Sequence, residues 1–424
     1  MVCLVAELFT VIRKANPSMK SGKPKIALGL IGLIGLALTT SACGESSGGG
    51  AAASVAEMEE VNLTFQSQAS PEHPHGVAQK AFAEEVAERT NGKVKIEIYF
   101  SGSLLAGDAD LGGLESGVAD LGALFITYHP QTLPVANWFT QMQSLRSHSA
   151  PHGFIQGTAA LQKVAETSEA LQQEADEHNV VFLGISSGAI NYGLLCKEPI
   201  NSLDDAKGVK VRVGGTVWAD EVKAMGMTPI SLPFSESYEA LQRGVTDCEW
   251  GDPTTIAAFG LWDVAKFYHP VAGSPSGSTY LTANKDTWDS LPPDAQEIIQ
   301  NANVNFNVRV TEAGLEGYKD FVDRGEEKGV TIVDPRPLNE LLQAYQQRLI
   351  EEELVNRAPA GVTDPEEFIK AWRSALESGM DLAIESAGTE PNESQAPEDI
   401  RDGYLSGADA VDLQKFSAAL SAGS

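Results

Sequence analysis

The segment Leu203-Asp204-Asp205-Ala206-Lys207-Gly208-Val209-Lys210-Val211-Arg212-Val213 runs out of a polar turn into a strict alternation of valine and cation. A period of two predicts a strand over 209–213, with the valines on one face and Lys210 and Arg212 on the other. Downstream the period changes. Helices are predicted at 218–225 and 235–243, with short strands near 228–231 and at 245–249. Gly244 follows the second helix directly, where a left-handed cap is favoured. Strand and helix in such succession imply parallel pairing, with helices covering both faces of a sheet.

The same grammar extends upstream. A strand is predicted at 61–65, and a helix over 73–89 places Val77, Ala81, Phe82 and Val86 on one face. Asn91-Gly92 closes that helix, and Val94, Ile96 and Ile98 alternate as the next strand. A short helix ends at Gly117, a strand follows at 118–123, one long helix covers 151–178, and an apolar strand follows at 180–183. Strands at 193–196, 267–271 and 279–283 complete the set. Helical character over 292–328 reads as one spine crossing two lobes, with Pro292-Pro293 at its start. Past Gly388 the chain turns rich in Gly, Pro, Ser and Glu, and is expected to be poorly ordered apart from a last helix after Ala408. The 424 residues suit two lobes better than one core. Lobe I is read as 61–188 plus 272–317, lobe II as 189–271 plus 318–390, and 391–424 as a C-terminal tail.

Acidic side chains outnumber basic ones by 58 to 30, for a net charge of −28. That sign excludes a nucleic-acid partner, which needs a basic surface, and excludes adhesion to anionic lipid. An anionic ligand would need a local cation inside a cleft. Near the N-terminus Lys20, Lys23 and Lys25 precede an apolar run over 26–38, and small residues lead to Cys43. Basic, apolar and small regions in that order make an export signal. Thr39-Thr40-Ser41-Ala42-Cys43-Gly44 resembles a lipoprotein cleavage box, with Cys43 as the lipidated residue and Thr40 where Leu is usual. The signal is read as 1–43, with a start at Met19 left open, and 44–60 as a flexible tether. Membrane contact is expected through that lipid only. Cys196 and Cys248 are either a disulfide, which an exported compartment permits, or two buried thiols.

No nucleophile elbow, phosphate-binding glycine loop or zinc-binding helix motif occurs, so no catalytic residue is assigned and an enzyme is not expected. His73 and His75 lie two apart, a poor spacing for two metal ligands on one helix face, and read as capping and packing groups. Gln66 and Gln68 follow the first strand and Tyr128 follows the 119–125 region, near where parallel sheets present ligands at strand ends. Trp218, Phe234 and Trp250 are candidates for pocket walls. On residue type alone, Arg212 is an ordinary solvated strand cation and Glu249 a structural carboxylate.

His73-Pro74-His75, Phe82-Ala83-Glu84-Glu85-Val86 and Thr90-Asn91-Gly92-Lys93-Val94 together resemble the opening of TRAP-transporter solute-binding proteins, the C4-dicarboxylate (DctP-type) family. The 203–213 segment, Met225-Gly226-Met227-Thr228-Pro229-Ile230 and Tyr238-Glu239-Ala240-Leu241-Gln242-Arg243-Gly244-Val245-Thr246-Asp247 resemble its middle region in order and spacing. The likeness covers about 61–334. It implies an α/β, two-lobed periplasmic-binding-protein-like fold with a long spine helix and an interlobe cleft. It also implies capture of a small organic acid for the membrane subunits of a TRAP symporter, with Arg212 clamping the carboxylate. A receptor module for a sensor or chemoreceptor is the alternative, discriminated by whether transporter genes lie nearby.

Gly188-Ala189-Ile190-Asn191-Tyr192-Gly193 lacks the second arginine of the dicarboxylate branches, and the neutral Asn191 and Tyr192 point to a monocarboxylate. Asp247-Cys248-Glu249-Trp250-Gly251-Asp252 resembles a branch in which a Glu-Trp pair helps hold a metal ion. No cofactor is otherwise expected, and calcium or sodium at Glu249 and Trp250, bridging the ligand, is the one option that resemblance adds. The protein is expected outside the cytoplasm, periplasmic or at the cell surface.

Overall fold

The computed structural model describes residues 54–275 and 279–422. The export signal, Cys43 and the tether as far as residue 53 lie outside the described residues. The rest of the expected tether is part of the fold: Val55 and Met58 are buried in a core cluster, and the Val55 amide donates to Asp294.

The chain first builds β1 (Val61–Ser67), α1 (Pro74–Arg89), β2 (Val94–Tyr99), α2 (Asp110–Glu115), β3 (Leu121–Phe125), α3 (Pro134–Thr140), α4 (His152–Thr167), α5 (Glu169–Glu177) and β4 (Val180–Ser186). It then crosses to β5 (Tyr192–Cys196), α6 (Leu203–Ala206), β6 (Lys210–Val213), α7 (Thr216–Ala224), β7 (Thr228–Ser231), α8 (Ser237–Arg243), β8 (Cys248–Gly251), α9 (Pro253–Ala258) and β9 (Phe267–Gly273). It returns through β10 (Thr279–Asn284), α10 (Lys285–Ser290), α11 (Pro293–Glu327), β11 (Thr331–Ile332) and α12 (Arg336–Arg348), and ends in α13 (Pro365–Ala387), α14 (Pro397–Ser406) and α15 (Leu413–Ala422).

Two sheets result, ordered β2-β1-β3-β10-β4 and β11-β9-β5-β8-β6-β7. The pairs expected to be parallel are so: β1 with β2 and β3, and β6 with β7 and β8. The strands beside each crossing are antiparallel instead, β10 to β3 and β4, and β5 to β8 and β9. A strand that has crossed between lobes enters its sheet from the opposite end. Gly244 has a φ of 75°, the left-handed cap expected after α8.

Apolar clusters cover both faces of each sheet. On the first, Leu63, Phe65 and Leu281 pack with α1 and the leading half of α11, while Leu124, Phe182 and Tyr280 pack with α3 and α4. On the second, Val211, Val213 and Leu194 pack with α7 and α12. Its opposite face packs Leu195 and Tyr268 with Leu315, Tyr318 and Phe321 from the trailing half of α11. The 35-residue α11 therefore belongs to both lobes, as expected of a spine.

Four expectations need correction. The strand predicted at 118–123 begins at Leu121, because Val118 is exposed on the turn before it. The long helix over 151–178 is two, because Ser168 leaves the helical backbone and caps α5 by accepting from the Leu171 amide. Residues 349–387, grouped with lobe II by sequence, place Ile350, Leu354, Trp372 and Leu376 against Trp138 and Phe139 of lobe I. The tail is not loose: Tyr404, Phe416 and Leu420 are buried against α11 and α4. The cysteine question resolves as a disulfide joining Cys196 to Cys248, which face each other across β5 and β8.

Candidate ligand-binding site

The alternation that buries Val211 and Val213 turns Arg212 to the opposite face of β6, and parallel register sets it beside Glu249 of β8. Both side chains are fully buried. Arg212 Nη1 donates to Glu249 Oε1 at 3.0 Å, and Nε donates to the Leu232 carbonyl at 2.7 Å. The guanidinium carbon lies 4.1 Å from the ring centre of Phe234. Burial pushes the Glu249 carboxyl up to about 7, against the pull of Arg212. The other half of each group is held only loosely: Arg212 Nη2 and Glu249 Oε2 are buried without a close hydrogen bond, next to the Tyr128 phenol and the Ser237 hydroxyl. An unmade bond of this kind costs about 1–3 kcal/mol, so a site that keeps two is built around something else.

Beside the pair the two lobes meet, with Tyr128 of lobe I and Gly214 of lobe II next to the Arg212 guanidinium, although neither Arg212 nor Glu249 lines the open space between them. An outer cleft of about 650 Å³ runs between Gly107, Thr127 and Tyr128 of lobe I and Val213, Gly214 and Leu232 of lobe II. Tyr128, Gly214 and Leu232 each stand just past a strand's carboxyl end, where open α/β sheets bind ligands. Deeper lies a cavity of about 30 Å³, walled by Phe125, Tyr192, Phe234 and Phe259 and edged by Gln68, His73, His75, Asp252 and Thr279. That is room for roughly two waters. Its aromatic walls interlock: Phe234 meets Phe125 edge-on and stacks on Phe259, and Phe125 stacks on Tyr128.

The residues singled out by sequence are divided between these places. Gln68 borders both cleft and cavity, and its amide donates to the Leu105 carbonyl at 3.0 Å. Tyr128 borders the cleft, its phenol raised by burial with the Arg212 charge pulling the other way. Tyr192 walls the cavity and stacks on Trp218. Gln66 is a core residue, bonded to the Ala123 carbonyl. Asn191 sits behind the crossing, where its amide donates to the Val271 carbonyl and its side-chain oxygen accepts from Tyr404. Trp250 points to the opposite face from Glu249, into the core beside Leu194.

For a calcium or sodium ion, Glu249 has one oxygen left over beside a guanidinium whose charge opposes a cation, and the Trp250 indole, which is no cation ligand, turns into the core. Among the described residues, no group of three or more His, Cys, Asp or Glu side chains is gathered as a metal site.

Sequence reasoning did not assign Phe125, Phe259, Thr279, His73, His75 or Asp252 to the site. Phe125 and Thr279 carry no motif. His75 was read only as a packing group, and His73 does cap α1 by accepting from the His75 amide. Asp252 accepts from the amides and hydroxyls of both Thr254 and Thr255, and so caps α9 while bordering the cavity. The pattern Asp252-Pro253-Thr254-Thr255 is a helix-start signal and could have placed it.

The family and the fold can be compared with known proteins. The chain is 28% identical over 237 residues to the monocarboxylate 2-oxoacid-binding periplasmic protein of Nostoc sp. (strain PCC 7120), covering 55% of this chain and 62% of that protein. It thus spans less than two thirds of that relative's length. It is 25% identical over 247 residues to the C4-dicarboxylate-binding periplasmic protein DctP of Rhodobacter capsulatus, covering 58% and 71%. In fold it matches a marine metagenome TRAP solute-binding protein specific for pyroglutamate, with a TM-score of 0.65 at 18% identity, over 75% of this chain and all of that one. Residues 65–353, well over half the chain, match the family model for bacterial extracellular solute-binding proteins of family 7. With two lobes, a shared spine and a cleft at the strand ends, the chain belongs to that family.

Proposed function

We propose that this protein captures a small organic acid between its lobes and delivers it to the membrane subunits of a TRAP-type symporter, with Arg212 as the carboxylate clamp. The observation that carries the reading is the unbonded, fully buried Nη2 of Arg212, held at a meeting of lobes with its other nitrogens already anchored. A guanidinium keeps its charge in such a place and offers directed donors to a carboxylate. The 30 Å³ cavity admits no acid as it stands, so entry requires the lobes to part and Phe234 to swing aside. Gln68 and Tyr128 at the cleft, and Tyr192 on the cavity wall, are proposed to frame the acid. Asn191 is proposed to serve the crossing rather than the ligand. The protein performs no chemistry on its cargo, and the lipid at Cys43 holds it at the outer face of the membrane.

A thermal-shift screen of mono- and dicarboxylates tests this. An acid at about a hundred times its dissociation constant stabilises the fold by about 2.7 kcal/mol. The double variant Arg212→Met, Glu249→Gln, which removes both buried charges together, is expected to lose that response to every acid. Undiminished binding of the best acid by a folded double variant would refute the clamp.

A further inference from the structure

Capture puts a second carboxylate beside a guanidinium that already serves one. Glu249 Oε1 accepts from Arg212 at 3.0 Å, and both side chains are fully buried. The charges around Glu249 come from several elements. Arg212 of β6 is the one cation paired with it among the described residues, and Asp252 at the start of α9 opposes its ionisation. From α8 it meets the Ser237 hydroxyl, and β5 sets the apolar Leu195 opposite it. Lobe I contributes the Tyr128 phenol, next to the guanidinium and raised by burial. His73 and His75 edge the nearby cavity and are lowered by burial, His75 to about 3. Arg146 is engaged with backbone, donating to the Gly153 carbonyl and to the Ala189 carbonyl at the cavity wall.

With an acid in place, one guanidinium faces two carboxylates in a closed cleft, and Asp252 stands near. Like charges that share such a site do not both stay ionised. Glu249 is the one to yield. Burial already brings it to about 7 before any acid arrives, whereas a free carboxylic acid ionises near 4. A proton also suits the local bonding. Glu249 Oε2 and Ser237 Oγ are both buried without a close hydrogen bond, and a protonated Oε2 supplies the donor that two acceptors lack.

We infer that capture is coupled to proton uptake: as the acid's carboxylate settles on Arg212, Glu249 takes one proton from solvent at Oε2 and changes from counter-ion to hydrogen-bond donor. This rests on the carboxylate reading above and adds how the site balances its charge. The acid travels as an anion with the proton held beside it, and that proton leaves when the lobes part. Because the loaded form holds more protons than the empty one, affinity levels off at low pH and weakens as pH rises above about 7.

Calorimetric titration of the whole protein in phosphate and in Tris, whose ionisation heats differ widely, counts the protons. The probe is the tightest binder among lactate, pyruvate, pyroglutamate and succinate. Near pH 8 the two buffers are expected to report uptake of more than about half a proton per acid, and near pH 5.5 almost none. Above pH 7 Kd is expected to rise by up to about tenfold per pH unit. Glu249→Gln, neutral at every pH, is expected to bind with a flat pH profile and equal heats in both buffers. Glu221→Gln, which removes another buried carboxyl raised to about 7, is expected to keep the uptake. Equal heats in the two buffers for the wild type, or uptake that survives in a folded Glu249→Gln, would overturn the inference and leave the Arg212 clamp standing. If none of the four acids binds, the carboxylate reading falls and takes this one with it.

Discussion

Arg212→Ala takes a guanidinium out of a fully buried site and leaves Glu249 facing a void. Breaking such a pair from one side costs about 3–5 kcal/mol, so the single variant is expected to be distinctly less stable in urea even without cargo. Arg212→Met with Glu249→Gln is expected to recover most of the loss. A solvated strand residue, the reading from residue type alone, would give almost no change. The alternation of Val211, Arg212 and Val213 correctly opposed the cation to the core face. It could not reveal that Glu249, distant in sequence, supplies the partner, because strand register is a tertiary fact. Glu221 offers a second test at this scale. It is buried and forms no ion pair among the described residues, accepts from Ser274 and Gln346, and burial raises it to about 7. The folded state holds this proton more tightly than the unfolded chain does. Its contribution is therefore complete below the ordinary carboxyl value near 4.5 and is lost as pH rises through about 7. Glu221→Gln is expected to match the wild type near pH 4.5 and to gain on it by up to about 3 kcal/mol by pH 8, read from denaturation curves. Parallel curves would place the group's titration outside that window.

Among the elements, β8 bears the most. It pairs with β5 and β6, presents Glu249 to one face and Trp250 to the other, and is fastened to β5 by the Cys196–Cys248 disulfide. That bond closes a sequence separation of 52 residues containing α6, β6, α7, β7 and α8. Replacing both cysteines by alanine is expected to lower unfolding free energy by about 2–4 kcal/mol, measured in denaturant under oxidising conditions. An unchanged midpoint would mean the thiols serve only as packing. Strand and helix positions were mostly legible, because periods of two and 3.6 are written locally. The break at Ser168 was not, since apolar spacing continues past it and only the cap betrays the stop.

For the molecule as a whole, composition misled most where a few anchors mattered. The segment past Gly388 is polar on average, yet Phe416 and Leu420 fill a hollow lined by Ile155 of α4 and Val304 and Val308 of α11. Ending the chain after Gly388 is expected to cost roughly 3–6 kcal/mol of stability by exposing those surfaces. A shortened chain with unaltered stability would show the tail to be dispensable.

The same segment also reaches both lobes. The Asn392 amide donates to the Ser149 hydroxyl in lobe I, Gln395 accepts from Asn339 on α12 of lobe II, and Tyr404 donates to Asn191 at the crossing between them. A pair of jaws braced behind its fulcrum opens reluctantly once shut. For the proposed cargo that means a long dwell time, set by how fast the brace yields rather than by contacts in the cavity. Stopped-flow release is expected to be faster from the chain ending at Gly388, and equal rates would show that the brace carries no load.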